Sequence, residues 1–202
     1  MFLALDTSTA ACTAALLGER GEVIASNDEL IGRGHAERLM PMVAELLDGR
    51  RPDRILVGTG PGSFTGIRVG IAAAHGMAIG WGAPIEGMSS LALLAAAAEA
   101  QGPIAAAMAG GHGELFVQQF GPSLEPASPV LNLAPAQAAR AIDAELVVGP
   151  GAAALVDARG WGESRECWPS AARALLLPPA LRSLPPAPVY ARAPDARARS
   201  AA

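Results

Sequence analysis

The run Gly60-Pro61-Gly62-Ser63-Phe64-Thr65-Gly66-Ile67-Arg68-Val69-Gly70 sets the tightest condition on the fold. It continues a buried apolar segment, "RILVGTG" at 54–60, and opens a helical stretch from about Phe64 to Ile79. Strand, glycine turn and helix in that order is the unit from which α/β domains are built. Within the helix Gly66, Gly70, Ala74 and Ala78 recur every fourth position and make one ridge of small residues. Ile67, Ile71 and Ile79 are placed beside that ridge, with His75 at the same spacing. A glycine inside a helix costs about 1 kcal/mol against alanine, a cost tolerated where another backbone must come close. That backbone belongs either to this molecule or to a partner helix, self or non-self. The spacing alone leaves both open.

A phosphate-binding role for the loop needs more than glycines. The Walker pattern ends in Gly-Lys-Ser/Thr, so that the lysine meets the phosphates, and this chain contains no lysine at all. The dinucleotide pattern GxGxxG follows a first strand, with an acid about 20 residues on. Here Thr65 stands in the place of the third glycine, and the loop follows about the fourth strand. Ser63, Thr65 and the open amides of a helix N-terminus attract an anion, and a hydroxyl there serves equally as a plain cap.

The rest of the chain alternates in the same α/β sense. "FLALD" (2–6), "CTAALLG" (12–18) and "EVIASNDEL" (22–30) read as a strand meander, with "GERG" as a turn. In "HAERLMPMVAELLDG" (35–49), Ala36, Leu39, Met40, Val43, Leu46 and Leu47 fall at helical spacing, with Pro41 in the early turns and Gly49 closing the helix. "API" (83–85) reads as a strand, and Ser89 or Ser90 caps a helix to about Ala100. After Gly102-Pro103 a second lobe begins, with "PIAAAMAG" and "GELFVQQFG" paired across "GGH". The Pro-rich 121–135 reads as a loop, "AELVVG" (144–149) as a strand, and "AAALVDARG" as a short helix. The Pro- and Ala-rich tail is expected to fray at its last residues, and no repeat of fixed period is seen.

Composition removes several function classes. With 51% hydrophobic and 17% charged residues over 202 positions, the chain is a folded one with room for a sizeable core. A net charge of -4 gives no basic surface for sequence-blind nucleic-acid binding. Cys12 and Cys167 lie far apart, His35, His75 and His112 form no HxxxH pair, and no metal centre is expected. Cys12 is read as a small buried residue. No GxSxG elbow or Ser–His–Asp order supports a peptidase. The N-terminus lacks a basic n-region and no apolar run reaches the length of a membrane span, so a cytoplasmic protein without membrane contact is expected.

Four stretches together carry a resemblance: "LALDTSTAACTAALL", "GHAERLMPMVAELL", "VGTGPGSFTGIRVGIAAAHGMAIG" and "PIEGMSSLALLA". The chain resembles the TsaB (YeaZ) family, bacterial partners of the TsaD protein in making threonylcarbamoyladenosine in tRNA. The likeness is dense over residues 2–98, thins, and returns at "PVYARAPDA" (188–196). Where the family has Asp-Ala-Arg-x-Gly-Glu-Val-Tyr, this chain has "MAGGHGELF", keeping only Gly113 and Glu114, with Phe116 in the tyrosine position.

The resemblance implies an α/β protein of the actin-like ATPase (ASKHA) fold: two RNase H-like lobes with mixed sheets, the second reduced. The lobes would be residues 1–102 and 103–202. It places Asp6, Thr7 and Ser8 where such ATPases hold magnesium and phosphate. With Ser63 and Thr65 they would be the remnant of a nucleotide site. The resulting reading is a non-catalytic subunit pairing with a TsaD-like catalytic subunit. The pairing residues would be Leu39, Met40, Val43, Gly66, Ile67, Gly70, Ile71, Ala74 and Ala78. The reaction implied is threonylcarbamoyl transfer to N6 of adenosine 37 in tRNAs reading ANN codons, with tRNA met indirectly. A TsaE-like ATPase, a homodimer when the chain is alone, and ATP or ADP with magnesium only in the assembled complex complete what the resemblance implies. The alternative is a small actin-fold ATPase or kinase acting alone through Asp6 and the 60–66 loop.

Overall fold

The computed structural model describes residues 1–190. Strands β1 (Phe2–Asp6), β2 (Ala11–Leu17) and β3 (Val23–Leu30) form an antiparallel meander. Helix α1 (His35–Leu47) then leads to β4 (Arg54–Gly58), parallel to β1. Helix α2 (Phe64–Trp81) leads to β5 (Ile85–Met88), parallel to β4. The sheet order is β3-β2-β1-β4-β5. Alternation along β1 sorts its side chains: Leu3 and Leu5 join the core under α1 and α2, and Ala4 joins the core on the other face.

The second lobe repeats this plan with shorter pieces. Strands β6 (Ile104–Ala109), β7 (Leu115–Phe120) and β8 (Leu131–Leu133) run antiparallel. Helix α4 (Pro135–Ala141) leads to β9 (Leu146–Val148), and α5 (Ala152–Arg159) leads to β10 (Glu163–Arg165). Strands β9 and β10 lie parallel on the free side of β6, giving the order β8-β7-β6-β9-β10. The duplication lives in the strand order and leaves no trace in sequence spacing. The loop expected over 121–135 contains β8, whose three residues are too few to show a strand period.

Helix α3 (Ser90–Ala97) lies between the two sheets. Its sequence "SLALLAAA" is apolar all round, as a helix buried on every side requires. It shares one core with Ala4, Ala15 and Leu56 of the first sheet and Ala106, Met108 and Phe116 of the second. Helices α4 and α5 cover the far face of the second sheet. The chain then returns to the first lobe through a 3-10 turn (Ala171–Leu176) and α6 (Pro179–Arg182). Ser170 donates to Asp28, and the Ala171 amide donates to Thr13 Oγ1 at 2.7 Å, fastening the return to β2 and β3. The last residues of the tail, expected to fray, lie within 191–202, outside the described residues.

Candidate functional site

The parallel register of β1 with β4, Leu5 opposite Val57, brings the Asp6–Thr9 turn and the Gly60–Ser63 loop to the same end of the sheet. Asp6 is wholly buried there. Its carboxylate accepts the Ser8 amide at 2.8 Å, the Ser8 hydroxyl at 2.7 Å and the Ser90 hydroxyl at 2.5 Å. Ser90 Oγ in turn accepts the Gly60 amide at 3.1 Å. A Cβ on Gly58 would overlap the same carboxylate. Asp6 therefore ties the first turn, the glycine loop and the start of α3 into one knot.

Burial raises the Asp6 pKa above the ordinary carboxylate value, and the hydrogen bonds from Ser90 and Ser8 and the nearby His35 oppose the shift. A raised folded-state value means that the carboxyl's contribution is fully present below its unfolded pKa and is lost as pH rises through the folded one. Asp6→Asn lacks that titration. Urea unfolding at a series of pH values from about 4 to 8 should show the wild type losing stability relative to Asp6→Asn as pH rises. A relative gain with rising pH would contradict the assignment.

Thr7 is also buried, and its hydroxyl donates to the Gly66 carbonyl at 2.7 Å. A Cβ on Gly66 would overlap the Thr7 carbonyl, and one on Gly70 would lie 2.6 Å from Thr7 Oγ1 and 3.4 Å from Leu5 Cδ1. This corrects the partner reading of the ridge. The close backbone is the molecule's own first turn, and Gly66, Gly70, Ala74 and Ala78 are buried under α2. Ile67, Ile71, Leu39 and Val43 fill the same core and are closed to a partner. Of the nine proposed pairing residues only Met40 is exposed, at 45%.

Ile79 stands apart from Ile67 and Ile71. Rows at four-residue spacing turn by about 40° per step around a helix. The row that begins in the core at Ile67 therefore ends outside, with Ile79 84% exposed. A second small stripe went unread: Ala72, Gly76 and Gly80, also every fourth residue, with no heavy atom within 4 Å of a Cβ on either glycine. The outward face of α2 also carries Phe64, 56% exposed.

Between the lobes lies a cleft of about 1240 Å³. Ser8, Ser63 and Thr65 line it from the first lobe, and Met108 and Trp168 from the second. The expected nucleotide remnant is thus split, because Asp6 and Thr7 lie beneath the cleft wall. Ser63 caps α2, accepting the Gly66 amide at 3.2 Å. The Asp6 oxygens are taken by three donors, and the chain has no lysine to meet a phosphate. Among the described residues no group of three His, Cys, Asp or Glu side chains is placed to hold a metal ion. Burial pushes the Cys12 thiol up to about 11, and Cys167 likewise, so neither is a nucleophile at neutral pH. Among the described residues no helix is long and apolar enough to cross a membrane.

Two lobes of one strand order, facing each other over a cleft with a shared central helix, define the actin-like fold. The comparisons with known proteins narrow it. The model of the family described as TsaD, tRNA N6-adenosine threonylcarbamoyltransferase, matches residues 20–158. The solved YeaZ of Pseudomonas aeruginosa is 32% identical, with a TM-score of 0.79 over 94% of this chain and 98% of that one. A second solved protein, described by its similarity to the peptidase YeaZ of the same organism, is 31% identical, with a TM-score of 0.81 over 95% of this chain and 99% of that one. The chain belongs to the TsaB (YeaZ) family. The tRNA threonylcarbamoyladenosine biosynthesis protein TsaB of Haemophilus influenzae is 46% identical over 101 residues, covering 48% of this chain and 42% of that protein. The Escherichia coli protein of the same name is 39% identical over 98 residues, covering 46% and 42%. These two sequence matches therefore span less than half of each relative's length.

Proposed function

We propose that this chain is the non-catalytic partner subunit of a tRNA threonylcarbamoyltransferase, pairing with a TsaD-like subunit that performs the transfer to N6 of adenosine 37. The observation that carries the reading is the sealing of Asp6: the acid that ends the first strand is wholly buried and its oxygens accept from Ser8 and Ser90 rather than facing the cleft. The pairing surface is the outward face of α2 with the exposed Met40 of α1. Two helical glycines with empty space at Cβ, Gly76 and, in the last turn, Gly80, give no packing benefit inside the molecule. Ile79 and Met40 are apolar side chains that pairing would cover. The occupant is a helix pair of the same fold, supplied by the TsaD-like subunit or, in its absence, by a second copy of the chain. ATP or ADP with magnesium, and a TsaE-like ATPase, belong to the assembled pair. With a net charge of -4, most of the tRNA contact falls to the other subunits.

The competing reading, an ATPase or kinase acting alone, needs Asp6 to reach the cleft. Reconstitution separates the two. The chain, its TsaD-like subunit, threonylcarbamoyl-adenylate and tRNA are combined, and modified adenosine is measured by mass spectrometry. Modification should require both proteins, and the chain alone should neither modify tRNA nor turn over ATP. ATP turnover by the chain alone would overturn the proposal.

A further inference from the structure

The last described residues do not hang free. After α6 the segment Ser183–Tyr190, "SLPPAPVY", runs along the open edge of β5. Gly87 donates to the Leu184 carbonyl at 2.7 Å, and Leu184 donates back to Gly87 at 3.0 Å. The Val189 amide donates to the Thr59 carbonyl at 2.8 Å. Two glycines clear the track: a Cβ on Gly87 would stand 2.5 Å from the Pro185 carbonyl, and one on Gly60 would stand 3.3 Å from the Val189 carbonyl. Three prolines at 185, 186 and 188 limit the conformations the segment can leave to.

The segment then climbs the flank of α2. The His75 ring lies 3.3 Å from the Pro186 carbonyl, and two turns earlier Arg68 Nε donates to the Tyr190 hydroxyl at 3.0 Å. The Tyr190 ring sits 5.5 Å from that of Phe64, and the Arg68 guanidinium packs over Phe64 at 3.6 Å. Phe64 and Tyr190 remain half-exposed. The first turns of a helix lack internal partners for their amides. Here the outward side chains of those turns are held by a residue 122 positions away in the chain.

We propose that Leu184–Tyr190 is a strap that pre-sets the N-terminal end of the α2 pairing face, with Tyr190 positioning Phe64 and Arg68. The inference rests on the pairing reading above and adds its determinant: a partner meets side chains already ordered, so less conformational freedom is lost on association. Tyr190 is half-exposed and outside every core cluster, so its substitution leaves both lobes folded.

Calorimetric titration of the chain with its TsaD-like subunit tests the strap. Tyr190→Ala should weaken pairing about tenfold, and Tyr190→Phe, which keeps the ring on Phe64, should recover most of that loss. Arg68→Ala combined with Tyr190→Ala should be no weaker than the worse single variant, because both act through one cluster. Wild-type affinity in Tyr190→Ala, no recovery in Tyr190→Phe, or strictly additive losses would each overturn the strap while leaving pairing intact. A wild-type chain that does not pair at all would overturn the pairing reading and the strap with it.

Discussion

Gly70→Leu should strongly destabilise the first lobe. The position lies under α2 against Thr7, Leu5 and Val57, and even a Cβ would stand 2.6 Å from Thr7 Oγ1. That hydroxyl cannot retreat without breaking its bond to the Gly66 carbonyl. A leucine adds three further carbons to a site that lacks room for one. Overpacking of this kind costs about 3 kcal/mol or more, equivalent to roughly 10 °C in melting temperature for a chain of this size. Gly66→Val should do at least as much harm, since its Cβ would overlap a backbone carbonyl rather than a side chain. The gain in helix propensity, about 1 kcal/mol, is too small to offset either. Melting followed by circular dichroism checks both, and a wild-type melting temperature in Gly70→Leu would contradict the inward placement of the ridge.

Gly76→Leu should have the opposite profile. Nothing stands within 4 Å of a Cβ at Gly76, and the helix gains propensity, so the isolated chain keeps or slightly raises its stability. Its affinity for the TsaD-like subunit should fall at least a hundredfold, a loss of about 2.7 kcal/mol. A leucine there fills the open space at Gly76 into which a partner's backbone would pack. Ile79→Glu provides a second route to the same result, placing a charge at the most exposed apolar side chain of the face. Unchanged pairing in both variants would remove α2 from the interface.

The contrast between Gly70 and Gly76 marks how far the sequence could be read. Spacing showed correctly that the small residues of α2 invite a close backbone. It did not show whose. Small or apolar residues lie on both faces of α2, so Thr65, Arg68 and His75 mark the outer side only weakly, and two small-residue stripes compete. Only the paired geometry of Thr7 with Gly66 resolves the inner one. The Asp6 knot was hidden for a related reason: Ser90, the donor that helps seal the carboxylate, is 84 residues away in sequence. By contrast, Ser63 as a cap, Cys12 as a small core residue and strands β1 to β4 follow from local chemistry, and each was legible, whereas the strand expected at 83–85 lies at Ile85–Met88. In the second lobe, strands of three residues are too short to print a period, so β8 and β10 were missed. The strap had signals, a glycine inside a strand at 87 and three nearby prolines, but their meaning needs the return of the chain to β5.

Light scattering during gel filtration of the wild-type chain mixed with its TsaD-like subunit tests the account most directly. A single species with the summed mass of the two proteins, lost in Gly76→Leu and kept in Cys167→Ser as a control away from α2, is the expected result. Two separate monomer peaks at micromolar concentration, with or without nucleotide, would contradict it.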